Sequence, residues 1–246
     1  MWSPEQYARF NAERRQPFTD LLALLERRPN LRVADLGCGT GELTRELHET
    51  LAAEETVGID NSETMLLRSG HFEGEMLRFE KGDIEAFVTD RPYDVIFSNA
   101  ALHWVPNHEQ LFVRLTNFLS IRGQFAVQMP ANDSHPSHRI AAEVAREFGL
   151  AERPDHVLPV ERYAELLHRL GYERQHVRLQ VYGHLLPGTD DVVEWVRGAL
   201  LTHYQSLLGD RYDEYLAAYR ERLHAALGDE RPYFYTYKRV LMWGTF

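Results

Sequence analysis

Apolar positions along the chain change spacing in a regular way, and the spacing predicts an alternation of strands and helices. Leu31, Val33, Ala34 and Leu36 form a short apolar run that fits a buried strand, and leucines at 43, 47 and 51 mark one face of a helix that follows it. Between them stand Gly37, Gly39 and Gly41 at alternate positions, so this unit reads as strand, glycine loop, helix. Residues 56–60, 77–80, 93–99 and 124–129 predict four further strands. Met65, Leu66 and Leu67 behind an Asn61-Ser62 cap predict one intervening helix, and apolar residues at 111, 112, 115, 118 and 119 predict another. Strict alternation of this kind implies a doubly wound parallel sheet, an α/β fold.

The two ends follow another rhythm. Ser3-Pro4-Glu5-Gln6 has the pattern of a capping box, and Tyr7, Phe10 and Arg14 recur at helical spacing until Pro17 interrupts. Phe18, Leu21, Leu22 and Leu25 begin a second helical face, so two short helices are expected before the first strand. Beyond Pro130, helices are predicted around Ala141 to Phe148, around Tyr163 to Leu170, behind a cap at Asp190 or Asp191, and along Tyr212 to Leu227. Strands are predicted at 175–182 and 234–243. The expected organisation is an N-terminal helical cap (1–30), an α/β core (31–185), a helical lid over the substrate pocket (186–230) and a final core strand (231–246).

Composition narrows the possibilities. The 246 residues are 44% apolar, enough for one large α/β domain with a cap. No apolar stretch reaches the roughly 18 residues of a membrane span, and the first residues lack the apolar core of a signal peptide, so a cytoplasmic location is expected and no membrane partner. Cys38 is the only cysteine, which excludes an internal disulfide and a thiolate zinc cluster. His135 and His138 flank Pro136 without a neighbouring carboxylate pattern, so they are read as loop residues and no metal is expected. A net charge of -10 argues against nucleic acid as a partner. A monomer is favoured.

A helix N-terminus beside an open glycine loop is a site for an anion or a nucleotide, because its first N–H groups lack internal partners. The dinucleotide fingerprint G-x-G-x-x-G does not fit, since Glu42 stands where the third glycine belongs. Asp35, just before the loop, suits a ligand end that carries an amine. Asp60 ends the second strand about twenty residues past the loop, the distance at which a carboxylate reaches a ribose diol.

Asp35-Leu36-Gly37-Cys38-Gly39-Thr40-Gly41 resembles motif I of the class I S-adenosylmethionine-dependent methyltransferases, an acidic residue followed by x-G-x-G-x-G. The resemblance implies a Rossmann-like seven-stranded sheet with a helical lid, S-adenosyl-L-methionine as cofactor and S-adenosyl-L-homocysteine as product. It implies a cofactor set of Asp35, Gly37, Gly39, Gly41, Asp60, Asn61, Met65 near the adenine, Asp83 accepting the adenine amine, Ile84, and Asn99 at the end of the fourth strand. Asn99-Ala100-Ala101-Leu102 replaces the N-P-P-Y of relatives that methylate amines and bases. Tyr7-Ala8-Arg9-Phe10, the segment from Asn99 to Val105, Ala126 to Pro130 and Glu194-Trp195-Val196 are similar to the trans-aconitate 2-methyltransferase family. That family carries a Gly-Leu-Arg-Pro run where this chain has Leu200-Leu201-Thr202-His203.

A small, anionic acceptor follows from the resemblance, and with it O-methylation of a carboxylate. A carboxylate, with a reference pKa of roughly 4, is already ionised and needs no base. A phenol or alcohol needs one, and His103 is the candidate. Burying a carboxylate requires cations and donors, for which Tyr7, Arg14, Trp104, Arg197, His203 and Tyr204 are the candidates. Two other readings stay open at this point: a carbon- or phenol-oxygen-methylating enzyme of quinone or secondary metabolism, and a non-catalytic cofactor-binding module.

Overall fold

The structure, a computed structural model, describes residues 11–151, 153–198 and 200–246, with side chains from Arg15 onward. The chain divides into two compact units. The sheet unit comprises Gln16–Pro130, Asp155–Gln180 and Arg239–Phe246; the helical unit comprises Ala131–Pro154 and Val181–Lys238 with residues 11–15.

In chain order the elements are α1 (Asn11–Leu22), β1 (Arg32–Leu36), α2 (Glu42–Leu51), β2 (Glu55–Asp60), α3 (Glu63–Ser69), β3 (Leu77–Lys81), β4 (Tyr93–Asn99), α4 (His108–Thr116) and β5 (Leu119–Pro130). They continue with α5 (Pro136–Glu147), α6 (Val160–Arg169), β6 (Arg174–Leu186), α7 (Asp190–Arg197), α8 (Leu200–Leu208), α9 (Tyr212–Leu227) and β7 (Tyr233–Thr245). The sheet has seven strands in the order β3-β2-β1-β4-β5-β7-β6. β1 lies parallel to β2 and β4, β2 to β3, and β4 to β5. The first five strands are thus parallel, as their strict alternation with helices implies, and β7 runs antiparallel to β5 with Gln124 opposite Thr245 and Pro130 opposite Arg239. Strand direction depends on the end of the sheet to which a connection delivers the chain, and the apolar period carries no record of that.

One sheet face is covered by Phe18, Leu21, Leu22, Leu47 and Leu51, packed on Val33, Val95, Phe97 and Trp243. The expected break at Pro17 does not occur, and α1 runs unbroken through it. A proline inside a helix costs about 3 kcal/mol, but Phe18 and Leu21 are buried and Phe18 meets Phe97 edge-on at 5.6 Å. Burial of two such side chains returns about 1.5–3 kcal/mol each. The predicted capping box and Tyr7 lie outside the described residues.

The core of the helical unit is built on tyrosine. Tyr204, Tyr212, Tyr215, Tyr219, Tyr233, Tyr235 and Tyr237 cluster with Trp195, Val192, Ile140 and Val144. Tyr215 Oη donates to the Ala141 carbonyl and Tyr219 Oη to the Ser137 carbonyl, both at 3.0 Å, so α9 is tied to α5 by hydroxyls that would otherwise be buried unpaired. This packing draws residues 131–154 in with the later helices, and the helical unit reaches further back than the expected boundary at residue 186. At α7 the N-cap position falls on Thr189, one residue before the expected cap, and Asp191 accepts from the Gly188 N–H at 3.1 Å.

Candidate functional site

The glycine loop is held from outside by β2. Gly37 and Cys38 donate to the Ile59 carbonyl at 2.7 and 3.0 Å. Asp60 Oδ2 accepts from the Gly39 N–H and Oδ1 from the Ser62 N–H, each at 2.9 Å, so one carboxylate ties the loop to the start of α3. Each of its oxygens retains lone-pair capacity for a ligand hydroxyl. Gly37 has φ 82°, and a Cβ there would stand 2.1 Å from the Cβ of Ala101. Gly39 has φ 57°, and a Cβ there would meet nothing within 4 Å. Close packing thus requires the first glycine, whereas at the second the backbone faces open space that a ligand can approach. No side chain caps the N-terminus of α2.

Asp35 is 4% exposed, with Oδ2 accepting from Thr44 Oγ1 at 2.6 Å. Burial pushes its pKa up to about 7; the Thr44 hydroxyl pulls it down and the charge of Asp60 pushes it up. A carboxyl in that state gains most from a cation brought to its second oxygen. Asp83 is exposed and accepts from the Glu85 N–H at 2.7 Å, capping the short turn Ile84–Ala86. Met65 and Ile84 are half-buried and Asn61 is exposed. Asp83 follows the end of β3, Asp60 ends β2 and Asp35 stands one residue before the end of β1, three strands adjacent in the sheet.

β4 is the next strand in that order, and it ends at Asn99. Ala100 follows with φ 56° and donates to the Gln128 carbonyl at 2.9 Å. The turn Leu102–Trp104 then carries His103, half-buried, whose ring centroid lies 4.6 Å from that of Trp104, which is 51% exposed. His108 went unanticipated as the support of this turn. Its Nε2 donates to the Leu102 carbonyl at 2.9 Å, so its Nδ1 must accept, from Tyr163 Oη at 2.5 Å. Burial holds this imidazole below its ordinary pKa and keeps it neutral, as the pairing requires. The sequence carried a signal, since His108 shares a helical face with Leu111, Phe112 and Leu115.

The remaining candidates belong to the helical unit, apart from Tyr7, outside the described residues, and Arg14, whose side chain is not described. Arg197 stands 3.6 Å from Glu194. Tyr204 is 2% exposed and packs against Tyr215 at 5.3 Å, a member of the core. His203 is half-buried, and burial together with the Arg153 charge holds it below its ordinary pKa. Arg153 was not singled out by motif; it pairs with Asp133 at 3.0 Å. Burial, then the charges of Arg153 and His135, push His138 down to about 3. The loop expected at His135 and His138 is corrected to the start of α5, where His135 caps Ser137 and both imidazoles meet the Ser137 hydroxyl, at 2.9 and 3.0 Å. Among the described residues no three His, Cys, Asp or Glu gather as a metal site. No described helix is long and apolar enough to cross a membrane.

Residues 27–171 match the sequence model of a methyltransferase domain. The trans-aconitate 2-methyltransferase of Deinococcus radiodurans is 40% identical, with 99% of this chain and 98% of that protein covered. The protein of the same name from Streptomyces avermitilis is 36% identical, covering 97% of this chain and 94% of its own. Among solved structures, the YcgJ protein of Bacillus subtilis superposes with a TM-score of 0.64 at 16% identity, over 94% of this chain and 97% of that one. An S-adenosylmethionine-dependent methyltransferase of Mesorhizobium loti gives 0.55 at 23% identity, over 93% and 96%; these two likenesses speak for the fold. A strand-end row of carboxylates beside an open glycine loop, a matching domain and near-full-length relatives converge: the chain is a class I S-adenosylmethionine-dependent methyltransferase and belongs to the trans-aconitate 2-methyltransferase family.

Proposed function

We propose that this enzyme methylates a carboxylate of a small di- or tricarboxylic acid, with trans-aconitate first among the candidates. The observation that carries the reading is 40% identity across 99% of the chain to a protein of that name. The chemistry of the donor set fits S-adenosylmethionine: Asp35 for the ammonium, Asp60 for the ribose diol, Asp83 for the adenine amine, with the open face of Gly39 between the first two. Gly37, Gly41, Asn61, Met65 and Ile84 complete the proposed cradle. When bound, the cofactor supplies a methyl group on a sulfonium, whose sulfur departs with the carbon–sulfur electron pair.

The protein's own task is to orient the acceptor and to exclude water. An acid of reference pKa roughly 4 arrives ionised, so its oxygen lone pair forms the new bond and no proton moves. His103 then serves beside Trp104 as a wall of the acceptor site. Tyr7, Arg14, Arg197, His203 and Tyr204 stay the proposed partners of the acceptor's carboxylates on the ground of their residue types alone. Incubation with methyl-labelled cofactor and a panel of di- and tricarboxylates should yield labelled methyl ester, at a rate that with saturating cofactor is flat from about pH 6 to 9 because the acceptor is ionised throughout. Transfer to none of the acids would overturn the reading.

A further inference from the structure

Three side chains in the middle of the sheet form a hydrogen-bonded line whose direction is fixed by chemistry. Arg239 Nη1 donates to Gln128 Oε1 at 3.1 Å, and Gln128 Nε2 donates to Asn99 Oδ1 at 2.6 Å. The oxygen and nitrogen of an amide resemble each other in shape, but a guanidinium only donates. Arg239 therefore turns the Gln128 oxygen toward itself, Gln128 offers its NH2 to Asn99, and Asn99 accepts with Oδ1. Gln128 is 1% exposed and Arg239 is also buried, so reversing either amide leaves buried polar groups unpaired, at about 1–3 kcal/mol each. The line ends in Nδ2 of Asn99, half-buried, with two N–H donors and no hydrogen-bond acceptor among the described residues.

The three residues come from β4, β5 and β7, adjacent in the sheet; Asn99 pairs with Gln128, and Arg239 stands two residues from the Leu241 opposite Gln128. Asp83, Asp60 and Asp35 stand at β3, β2 and β1, and β4 follows on the side of Asp35. The ligand's ammonium end is thus met at β1, and the donors of Asn99 lie one strand beyond it.

We propose that Arg239 and Gln128 are positioning residues that lock the Asn99 amide with its N–H donors presented to a carboxylate oxygen of the acceptor. The inference rests on the methyl-ester reading above. Asn99 holds the oxygen that does not attack, and this aims the lone pair of the other. During transfer a carbon–oxygen bond forms, the carbon–sulfur pair stays with sulfur, and the amide keeps both protons.

Gln128→Glu tests this, because a carboxylate beside Arg239 cannot donate, and Asn99 must then turn its NH2 inward and present its oxygen to the acid. KM for the acid should rise at least tenfold, with S-adenosylhomocysteine affinity by calorimetry and the unfolding midpoint unchanged. In an Asn99→Ala background the same substitution should cost nothing further. Side-chain amide exchange by NMR reads the line without turnover: the Gln128 NH2 should be protected and that of Asn99 unprotected in the parent, and the Asn99 NH2 should become protected in Gln128→Glu. The proposal is overturned if KM for the acid is unchanged, if the loss falls on cofactor affinity, if the two substitutions add, or if Asn99 is protected in the parent. Absence of transfer to any acid by the parent would strike the methyl-ester reading, while the exchange pattern would still report the amide polarity.

Discussion

In the sheet unit two strand-end carboxylates are held by main-chain N–H groups, Asp60 by Gly39 and Ser62 and Asp83 by Glu85. In the helical unit the polar groups stand among rings, and side chains hold them: Ser137 between two imidazoles, and tyrosine hydroxyls on the carbonyls of α5. The first arrangement is a property of the backbone path and tolerates changes of side chain. The second depends on a packed core, so its chemistry and its stability are not separable. Buried ionisable groups carry the contrast into pH, since burial raises the pKa of a carboxyl in one unit and lowers that of an imidazole in the other.

The largest effect is expected from Gly37→Ala. The added Cβ meets Ala101 and the residue must keep φ 82°; strain and overpacking together cost about 2–5 kcal/mol. Cofactor affinity by calorimetry should fall more than a hundredfold. Retention of parental affinity would show that backbone path does not govern this unit. Next, Tyr219→Ala should lower stability by about 3–5 kcal/mol, while Tyr219→Phe should lose about 1 kcal/mol with the hydroxyl's bond to the Ser137 carbonyl. Chemical denaturation measures both, and equal losses would break the claim that the hydroxyl ties α9 to α5.

Opposite signs with pH sharpen the comparison further. The folded pKa of Asp35 is raised to about 7 from 3.8, so folding takes up a proton between those values and this group adds stability as pH falls from 7 toward 4. The folded pKa of His138 is lowered to about 3 from 6.5, so the unfolded chain binds the extra proton and stability is lost as pH falls below 6.5. From pH 7 to pH 5 each contributes about 2 kcal/mol, in opposite directions. Relative to the parent, Asp35→Asn should therefore lose ground on acidification and His138→Leu should gain it, as read from unfolding midpoints; shifts of the same sign would refute the assignment. A cationic ammonium favours ionised Asp35, so cofactor binding below pH 7 should release a proton and tighten as pH rises, and Asp35→Asn should remove both effects in calorimetry with buffers of different ionisation enthalpy. The smallest effect is expected at the solvent-exposed pair of Arg222 and Glu147, where Arg222→Ala should leave the unfolding midpoint within error of the parent.

Strand positions and the glycine loop were legible because they are local. A buried run of Leu31 to Leu36, three alternating glycines and leucines every four residues specify strand, turn and helix from neighbours in sequence alone. Pro17 shows the limit, since its rule is also local but the burial of Phe18 and Leu21 outweighs it. The supporting role of His108 escaped for the same reason: it depends on a partner far along the chain, Tyr163. Tyr204 was singled out as a donor for a buried carboxylate, and the structure packs its ring against Tyr215 in the helical core.

The amino-acid sequence by itself determined the order of strands and helices, the glycine loop and the row of Asp35, Asp60 and Asp83, because periodicity, glycine conformation and the spacing between strand ends are short-range physics. Only the tertiary structure decided that β7 enters antiparallel, that residues 131–154 join the later helices, and that Arg239 and Gln128 point the Asn99 amide outward. Those features rest on contacts between residues far apart in sequence, 111 positions from Gln128 to Arg239, and such contacts exist once the whole sheet has closed around them.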